Sequence, residues 1–282
     1  MPYSAEISRT NPGCFIFLLD QSGSMADGVG SGDVQLRKAD FLSDVVNRAL
    51  HDLVIRCTRT EEIRDYYYVS LIGYGRHGGA VGPGFAGRLA GQALVKISEV
   101  GEYPARLESR TKKVVDGAGG LVEQVVRFPI WVDPVAENGT PMCAALQQAK
   151  GIVDSWLAEH PHCFPPVVLH ITDGASTDGD PTQAGQAIMD SRSTDGNALL
   201  FNCHISSQRA ARIEYPNESA ALPDDFARAM FAMSSVMPVE FRSAATAVGI
   251  SLPEGARGFV FNADATALVH FFDIGTRPAN LR

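Results

Sequence analysis

The feature that most constrains the fold is a series of short, almost wholly apolar runs. "CFIFLLD" at 14–20, "PVVLHITDG" at 166–174, "ALLFNCHIS" at 198–206 and "RGFVFNAD" at 257–264 all have this character. Strands of this kind are buried on both faces, which happens mostly in parallel sheets covered by helices on each side. The aromatic and β-branched run "YYYVSLIGYG" at 66–75 is predicted to be a further strand.

Segments with helical spacing separate these runs. In 33–57, apolar residues recur every three or four positions, at Leu36, Ala39, Leu42, Val45, Val46, Ala49, Leu50 and Leu53. Further helices are predicted at 140–160, 182–193, 223–236, 239–248 and 265–275. In the first of these, Thr140 is predicted to be the N-cap and Pro141 the first helical residue. The alternation predicts an α/β fold with a doubly wound, mostly parallel open sheet.

The segment 76–135 interrupts this alternation. It begins with "RHGGAVGPGFAG" at 76–87, which we interpret as a glycine-rich loop or a ligand-facing flap. Strand-like pieces at 93–100 and 125–135 then bracket a charged stretch. We predict a small β-rich insertion, a hairpin, within a single domain that spans 1–282.

Charge and composition argue against several classes of protein. The net charge is −8 and no run of five basic residues occurs, whereas nucleic-acid binding depends on Lys and Arg that neutralise phosphates. Neither nucleic acid nor an anionic membrane is therefore an expected partner. No apolar stretch approaches the ~20 residues that span a bilayer, and the polar N-terminus lacks the apolar core of a signal peptide. The five cysteines are odd in number and form no C-x-x-C, so we expect reduced thiols in a cytoplasmic protein.

Side chains that carry oxygen follow two predicted strands and precede one predicted helix. "DQSGS" places Asp20, Ser22 and Ser24 after the first strand, "TDG" places Asp173 after another, and "GTPM" contains Thr140. In open α/β sheets, ligands bind at the carboxyl ends of the strands. Hard cations prefer oxygen ligands, and Mg²⁺ combines one or two carboxylates with hydroxyls and water. These five residues therefore predict a divalent-metal site.

In this order the five residues resemble the metal-ion-dependent adhesion site of von Willebrand factor type A domains, whose pattern is D-x-S-x-S, then Thr, then Asp. The likeness covers about 14–275, apart from the insertion, and is greatest to bacterial cytoplasmic stand-alone members of the tellurium-resistance type. It implies Mg²⁺, Mn²⁺ or Ca²⁺ at the site and a coordination position left for a Glu or Asp of a partner protein. The relatives it points to associate with kinases, phosphatases or ATPases in stress responses. Thr140 lies further from Ser24 than is usual in this family, and the insertion accounts for the excess.

An enzymatic alternative starts from the same first strand. An apolar strand that ends in Asp also opens phosphohydrolases of the haloacid dehalogenase type, in which Asp20 would be the nucleophile. That chemistry needs a second carboxylate two positions later as the acid and base, and Ser22 stands there instead. No phosphate-binding G-x-x-x-x-G-K-[ST] loop or G-x-S-x-G elbow occurs. We therefore expect a non-enzymatic binding module, with a scaffold that carries a vestigial site as a third possibility.

Other polar residues have simpler interpretations. Asp27 and Asp33 are candidates for a second ion, but acids in a solvated loop near a helix start are the better interpretation. "STDGDP" at 176–181 lacks the later Gly and Glu of an EF-hand loop, so we predict a turn. Cys203 and His204 are neighbours in a strand and point to opposite faces, which argues against joint metal ligation.

Overall fold

The structure is a computed structural model, and it describes residues 2–29, 36–115, 121–205 and 211–278. Its strands are β1 Gly13–Asp20, β2 Gly28–Val29, β3 Leu36–Arg37, β4 Thr58–Arg59, β5 Glu62–Ile63, β6 Tyr67–Arg76, β7 Ala80–Pro83, β8 Val95–Lys96, β9 Arg106–Val115, β10 Leu121–Ile130, β11 Val167–Thr172, β12 Arg192–Ser193, β13 Gly196–Asn197, β14 Leu199–Ile205, β15 Ile213–Glu214 and β16 Phe259–Ala263. Its α-helices are α1 Lys38–Cys57, α2 Ile97–Glu102, α3 Met142–Glu159, α4 Thr182–Asp190, α5 Asp225–Ala232, α6 Arg242–Ala247 and α7 Ala265–Gly275.

The central sheet has the order β15-β16-β14-β11-β1-β6-β7, and β8 also pairs with β6. The five long strands at its centre are mutually parallel, while β7, β8 and β15 pair antiparallel at the two edges. This is the mostly parallel, doubly wound α/β sheet predicted from the sequence, and it agrees with the Rossmann-like arrangement expected of a von Willebrand factor type A domain. That prediction is confirmed.

Strand β1 shows why the central strands are apolar at every position. Phe15, Phe17 and Leu19 belong to one hydrophobic core, which α1 and α7 also line. The alternate residues Ile16 and Leu18 belong to a second core on the opposite face, which includes side chains of α3, α4 and α5. Because successive side chains of a strand point to opposite faces, burial on both faces removes the usual alternation of apolar and polar residues.

The segment 76–135 differs in part from its prediction. Residues 80–83 form β7 and extend the central sheet beside β6, where we expected a loop or flap. Within 93–100 the strand is limited to Val95–Lys96, and α2 follows because Ile97 and Val100 are three residues apart and both buried. Antiparallel β9 and β10 form the expected hairpin. The division into one domain with an insertion stays a prediction.

The start of α3 corrects the role given to Thr140. Pro141, not Thr140, is at the N-cap position, and no side chain there caps the helix. The backbone N–H groups of Cys143 and Ala144 instead donate to the two carboxylate oxygens of Asp178, both at 2.9 Å. The turn predicted at 176–181 therefore supplies the N-terminal cap of α3 from more than 30 residues away in sequence. Thr140 does not cap the helix.

A line of buried polar groups crosses the sheet below its carboxyl edge. The Asn202 amide donates to the carbonyl of Met233 at 2.9 Å, so its Oδ1 faces His170 Nδ1 at 2.8 Å. Since that oxygen only accepts, His170 carries its proton on Nδ1. Its Nε2 accepts from the Tyr74 hydroxyl at 2.7 Å. Burial lowers the pKa of His170 to about 4.

This buried histidine predicts a loss of stability in acid. An unfolded histidine has a pKa of about 6.5, so below that pH the unfolded chain binds a proton that the folded His170 refuses. Stability is therefore lost as the pH falls from about 6.5 toward 4, by about 2 kcal/mol at pH 5. Urea unfolding at pH 7 and pH 5 measures this loss. His170→Gln replaces the titratable imidazole with a neutral amide that can still donate and accept hydrogen bonds, so its stability should depend less on pH. An unchanged dependence on pH would contradict the assignment of the effect to His170.

Candidate metal centre

The candidate site lies where the order of the sheet reverses. From β1 the chain passes through α1 to β6 on one side, and the later strand β11 pairs on the other side of β1. The loops that leave β1 and β11 diverge there, so a crevice forms at the carboxyl edge between them. Asp20 ends β1, and Asp173 directly follows β11.

Asp20 is held by hydrogen bonds inside this crevice. Its carboxyl group is 1% exposed, Oδ1 accepts from the backbone N–H of Ser22 at 2.8 Å, and Oδ2 accepts from the Thr172 hydroxyl at 2.6 Å. Burial, with a smaller contribution from the nearby charge of Asp173, raises the pKa of Asp20 to about 6 against the opposing effect of these hydrogen bonds. An additional positive charge beside it would favour the ionised form.

Ser22, Ser24 and Asp173 meet in one chain of hydrogen bonds. The Ser24 hydroxyl donates to Asp173 Oδ1 at 2.7 Å, and the Ser22 and Ser24 hydroxyl oxygens are 3.1 Å apart. Ser24 and Asp173 are 149 residues apart in sequence. The two hydroxyls of the loop after β1 and the carboxylate that follows β11 therefore come together at the carboxyl edge of the sheet.

Thr140 lies on a neighbouring segment that runs along the first loop. Gly23 N–H donates to the Asn138 carbonyl at 2.7 Å, and Asn138 N–H donates to the Gly75 carbonyl at 2.9 Å. Thr140 is fixed by Thr177, whose hydroxyl accepts from Thr140 N–H and whose N–H donates to the Thr140 carbonyl, both at 2.9 Å. Thr140 is buried, and the structure places it beside the loop of Ser22 and Ser24 without a hydrogen bond to those two residues.

Three further residues support the site: Thr172 and Lys38, which the sequence did not indicate, and His204, which was considered only as a joint ligand with Cys203. The Thr172 hydroxyl donates to Asp20 Oδ2, and the Lys38 ammonium donates to Asp173 Oδ2 at 2.9 Å. Burial lowers the pKa of the His204 imidazole to about 4, against the opposing charge of the nearby Asp173. Thr172 and Lys38 are polar residues at inward positions of a mainly apolar strand and helix, and this was the available signal for those two.

Of the two other acids considered for a second ion, the structure describes Asp27. The side chain of Asp27 is 64% exposed, and its Oδ2 is 3.7 Å from Lys38 Nζ. Asp33 lies outside the described residues. Cys203 packs in the core shared with α1 and α7, whereas His204 stacks on Phe261 of the opposite core, as their positions in the strand predict.

The donor set fits a hard divalent cation. Over the described ranges, no group of three or more His, Cys, Asp or Glu side chains is placed to hold a metal ion. The candidate set contains only two carboxylates, Asp20 and Asp173, and its other members are the hydroxyls of Ser22, Ser24 and Thr140. Oxygen-only donors of low total charge suit Mg²⁺ or Mn²⁺ better than a soft metal.

The hydrogen bond from Thr172 to Asp20 is predicted to stabilise the folded protein. Thr172→Val should lower the free energy of unfolding by about 2 kcal/mol, because it leaves a buried carboxylate oxygen without its hydroxyl donor. Thr172→Ser keeps the donor and serves as the matched control. Chemical unfolding of the two variants at neutral pH measures the difference, and equal stabilities would contradict the prediction.

Two solved structures are distantly similar to this protein. No protein-family profile and no curated protein matches the sequence. Among solved structures, a manganese-loaded TRAP protein of Plasmodium vivax is 16% identical over 98% of this chain and 78% of its own, with a TM-score of 0.39. An uncharacterized membrane-spanning protein from Vibrio fischeri is 15% identical over 71% of each chain, with a TM-score of 0.23. At these TM-scores neither similarity bears on the function of this chain.

Two further observations concern the setting of the protein. All five cysteines are unpaired, and four of them are buried. In the part of the chain that the structure describes, no helix combines the length and the apolarity needed to cross a bilayer.

Proposed function

We propose that this protein is a divalent-metal-dependent binding module that captures an acidic side chain of a partner protein. The proposed ligands are Asp20, Ser22, Ser24, Thr140 and Asp173, and the proposed ion is Mg²⁺, Mn²⁺ or Ca²⁺. The observation that carries the proposal is the convergence of the Ser22 and Ser24 hydroxyls on Asp173 at the switch point of the sheet. A cation bound there would supply an electrophilic centre for a carboxylate of the partner.

The surrounding residues support this role through charge. Asp20 is buried and engaged by Ser22 and Thr172, so it contributes negative charge from behind the hydroxyls. The hydroxyls of Ser22, Ser24 and Thr140 are neutral ligands, which leave a bound cation with most of its charge. A site of this composition favours an additional carboxylate supplied from outside the chain.

The enzymatic alternative has less support from the geometry. A nucleophilic aspartate needs a carboxylate oxygen directed at the substrate and an acid–base group near it. Both oxygens of Asp20 are instead occupied by protein donors, and its side chain is buried. We therefore propose that the protein is a binding module and not an enzyme.

The resemblance noted in the sequence extends this proposal to a biological setting. By that resemblance, the protein acts in a bacterial cytoplasmic signalling or stress-response complex of the tellurium-resistance type. The acidic residue would then come from a kinase, a phosphatase or an ATPase. Five unpaired cysteines are compatible with a reducing compartment.

The test uses Thr140, which neither caps α3 nor bonds to the other ligands. Thr140→Ala should fold as the wild type does and lose Mg²⁺-dependent capture of partners from a lysate, identified by mass spectrometry. Thr246→Ala, an exposed threonine on α6, is the matched control. Capture that persists in excess chelator would contradict the metal-dependent mechanism.

An assay with a generic phosphate ester and Mg²⁺ separates this proposal from the enzymatic alternative. The binding module should show no turnover above background. Robust hydrolysis that is lost in Asp20→Asn and kept in Thr140→Ala would overturn the proposal in favour of a phosphohydrolase.

A further inference from the structure

Lys38 places a buried positive charge inside the candidate metal centre. It is the first residue of α1, it is 4% exposed, and its Nζ is 2.9 Å from Asp173 Oδ2. Lysines are almost never buried to this extent unless they are paired. Among the residues that the structure describes, Lys38 is the one cation within 4 Å of the Asp173 carboxylate.

Each oxygen of the Asp173 carboxylate accepts a hydrogen bond from a protein group. Oδ1 accepts from the Ser24 hydroxyl and Oδ2 accepts from the Lys38 ammonium. An oxygen ligand lies about 2.1 Å from Mg²⁺. An ion bound through Oδ2 would thus lie within about 5 Å of the ammonium group, where the two positive charges repel each other strongly. An ion bound through Oδ1 would lie further away and be repelled less strongly.

Asp27 offers the ammonium group a second partner. Its Oδ2 is 3.7 Å from Lys38 Nζ, and its side chain is largely exposed, so it lies toward solvent from the buried pair. The hydrogen bond from Lys38 N–H to the Asp27 carbonyl, at 2.9 Å, keeps the two residues adjacent whatever the side chains do. A small movement of the Lys38 side chain would transfer its pairing from Asp173 to Asp27.

We propose that Lys38 is a tethered cation that competes with the divalent ion for Asp173, and that Asp27 receives its ammonium group when the ion binds. The inference rests on the proposed function, because it concerns the same site. Lys38 neutralises Asp173 in the metal-free protein and so stabilises that state. The lysine therefore sets the concentration of metal at which the site fills.

The test is a calorimetric titration with Mg²⁺ and with Mn²⁺, together with thermal unfolding in excess chelator. Lys38→Met should bind both ions about tenfold more tightly than the wild type and unfold at a lower temperature in chelator. Asp27→Asn should bind them about threefold more weakly, because Lys38 loses its alternative partner. Lys150→Met, which removes a surface lysine paired with Asp154, should match the wild type in both measurements.

A purely structural role for Lys38 gives a different pattern. In that case Lys38→Met would be less stable and would bind metal no more tightly than the wild type, and the inference would be overturned. Lys38→Gln keeps an N–H donor toward Asp173 without the charge. If Lys38→Met does not fold, the metal affinity and stability of Lys38→Gln are compared with those of the wild type instead.

The outcomes also separate this inference from the proposed function. Metal binding by the wild type with no gain in either Lys38 variant overturns the inference and leaves the metal-dependent function standing. Binding by the Lys38 variants alone supports competition and contradicts a functional metal site in the natural protein. No binding by any of the proteins overturns both.

Discussion

Replacing Asp173 with alanine is expected to abolish binding of Mg²⁺ and Mn²⁺ up to millimolar concentrations. The change removes one of only two carboxylates in the candidate site and the acceptor of the Ser24 hydroxyl. It also leaves the ammonium of Lys38 buried beside the more distant Asp27. Breaking a buried pair in this way should lower the free energy of unfolding by about 3 kcal/mol or more. Calorimetric titration and urea unfolding measure the two effects.

A matched control and a double variant make this prediction specific. Glu159→Ala removes an exposed carboxylate from the last residue of α3, the end opposite to the one beside Thr140. It should change neither metal binding nor stability by a measurable amount. Asp173→Ala combined with Lys38→Met removes both members of the buried pair and should recover part of the lost stability. Additive losses in the double variant would show that the pair is not energetically coupled.

Gly75→Ala is expected to cause a loss of stability as large as that of Asp173→Ala. Gly75 has a φ of +99°, and a Cβ atom there would lie 2.5 Å from the Gly139 carbonyl oxygen and 2.9 Å from the Ser22 nitrogen. Both are backbone atoms, so neither can rotate away. The segment that carries Thr140 would have to separate from the loop that carries Ser22. We expect a loss of about 3 kcal/mol or more, with weaker metal binding.

Gly79→Ala separates the effect of close approach from that of backbone conformation. Gly79 also has a positive φ, +93°, but no atom lies within 4 Å of a Cβ built there. Its replacement should cost only about 1 to 2 kcal/mol, from the left-handed conformation alone. If thermal unfolding gives equal losses for the two variants, the contact between the Ser22 loop and the Thr140 segment is not what requires glycine at position 75.

Elements of this protein with a strong local pattern were predicted more accurately than those that depend on distant contacts. The helix at 265–275, the strand that ends at Asp20 and the strand that ends before Asp173 were predicted to within two residues. The segment 93–100 was predicted less well, because its three buried residues, Val95, Ile97 and Val100, are too few to distinguish the period of a helix from that of a strand. The assignment of Thr140 as an N-cap failed because a residue distant in sequence, Asp178, caps the helix.

The sequence by itself determined the class of fold and the positions of most candidate ligands. Burial on both faces makes a strand apolar at every position, and a parallel sheet brings the carboxyl ends of its strands to one edge. Asp20, Ser22, Ser24 and Asp173 follow from these local rules. The pairing of Lys38 with Asp173, 135 residues away, was decided only by the tertiary structure. A buried charge finds its partner through the order of the strands and the packing of α1, and a local pattern carries no information on either.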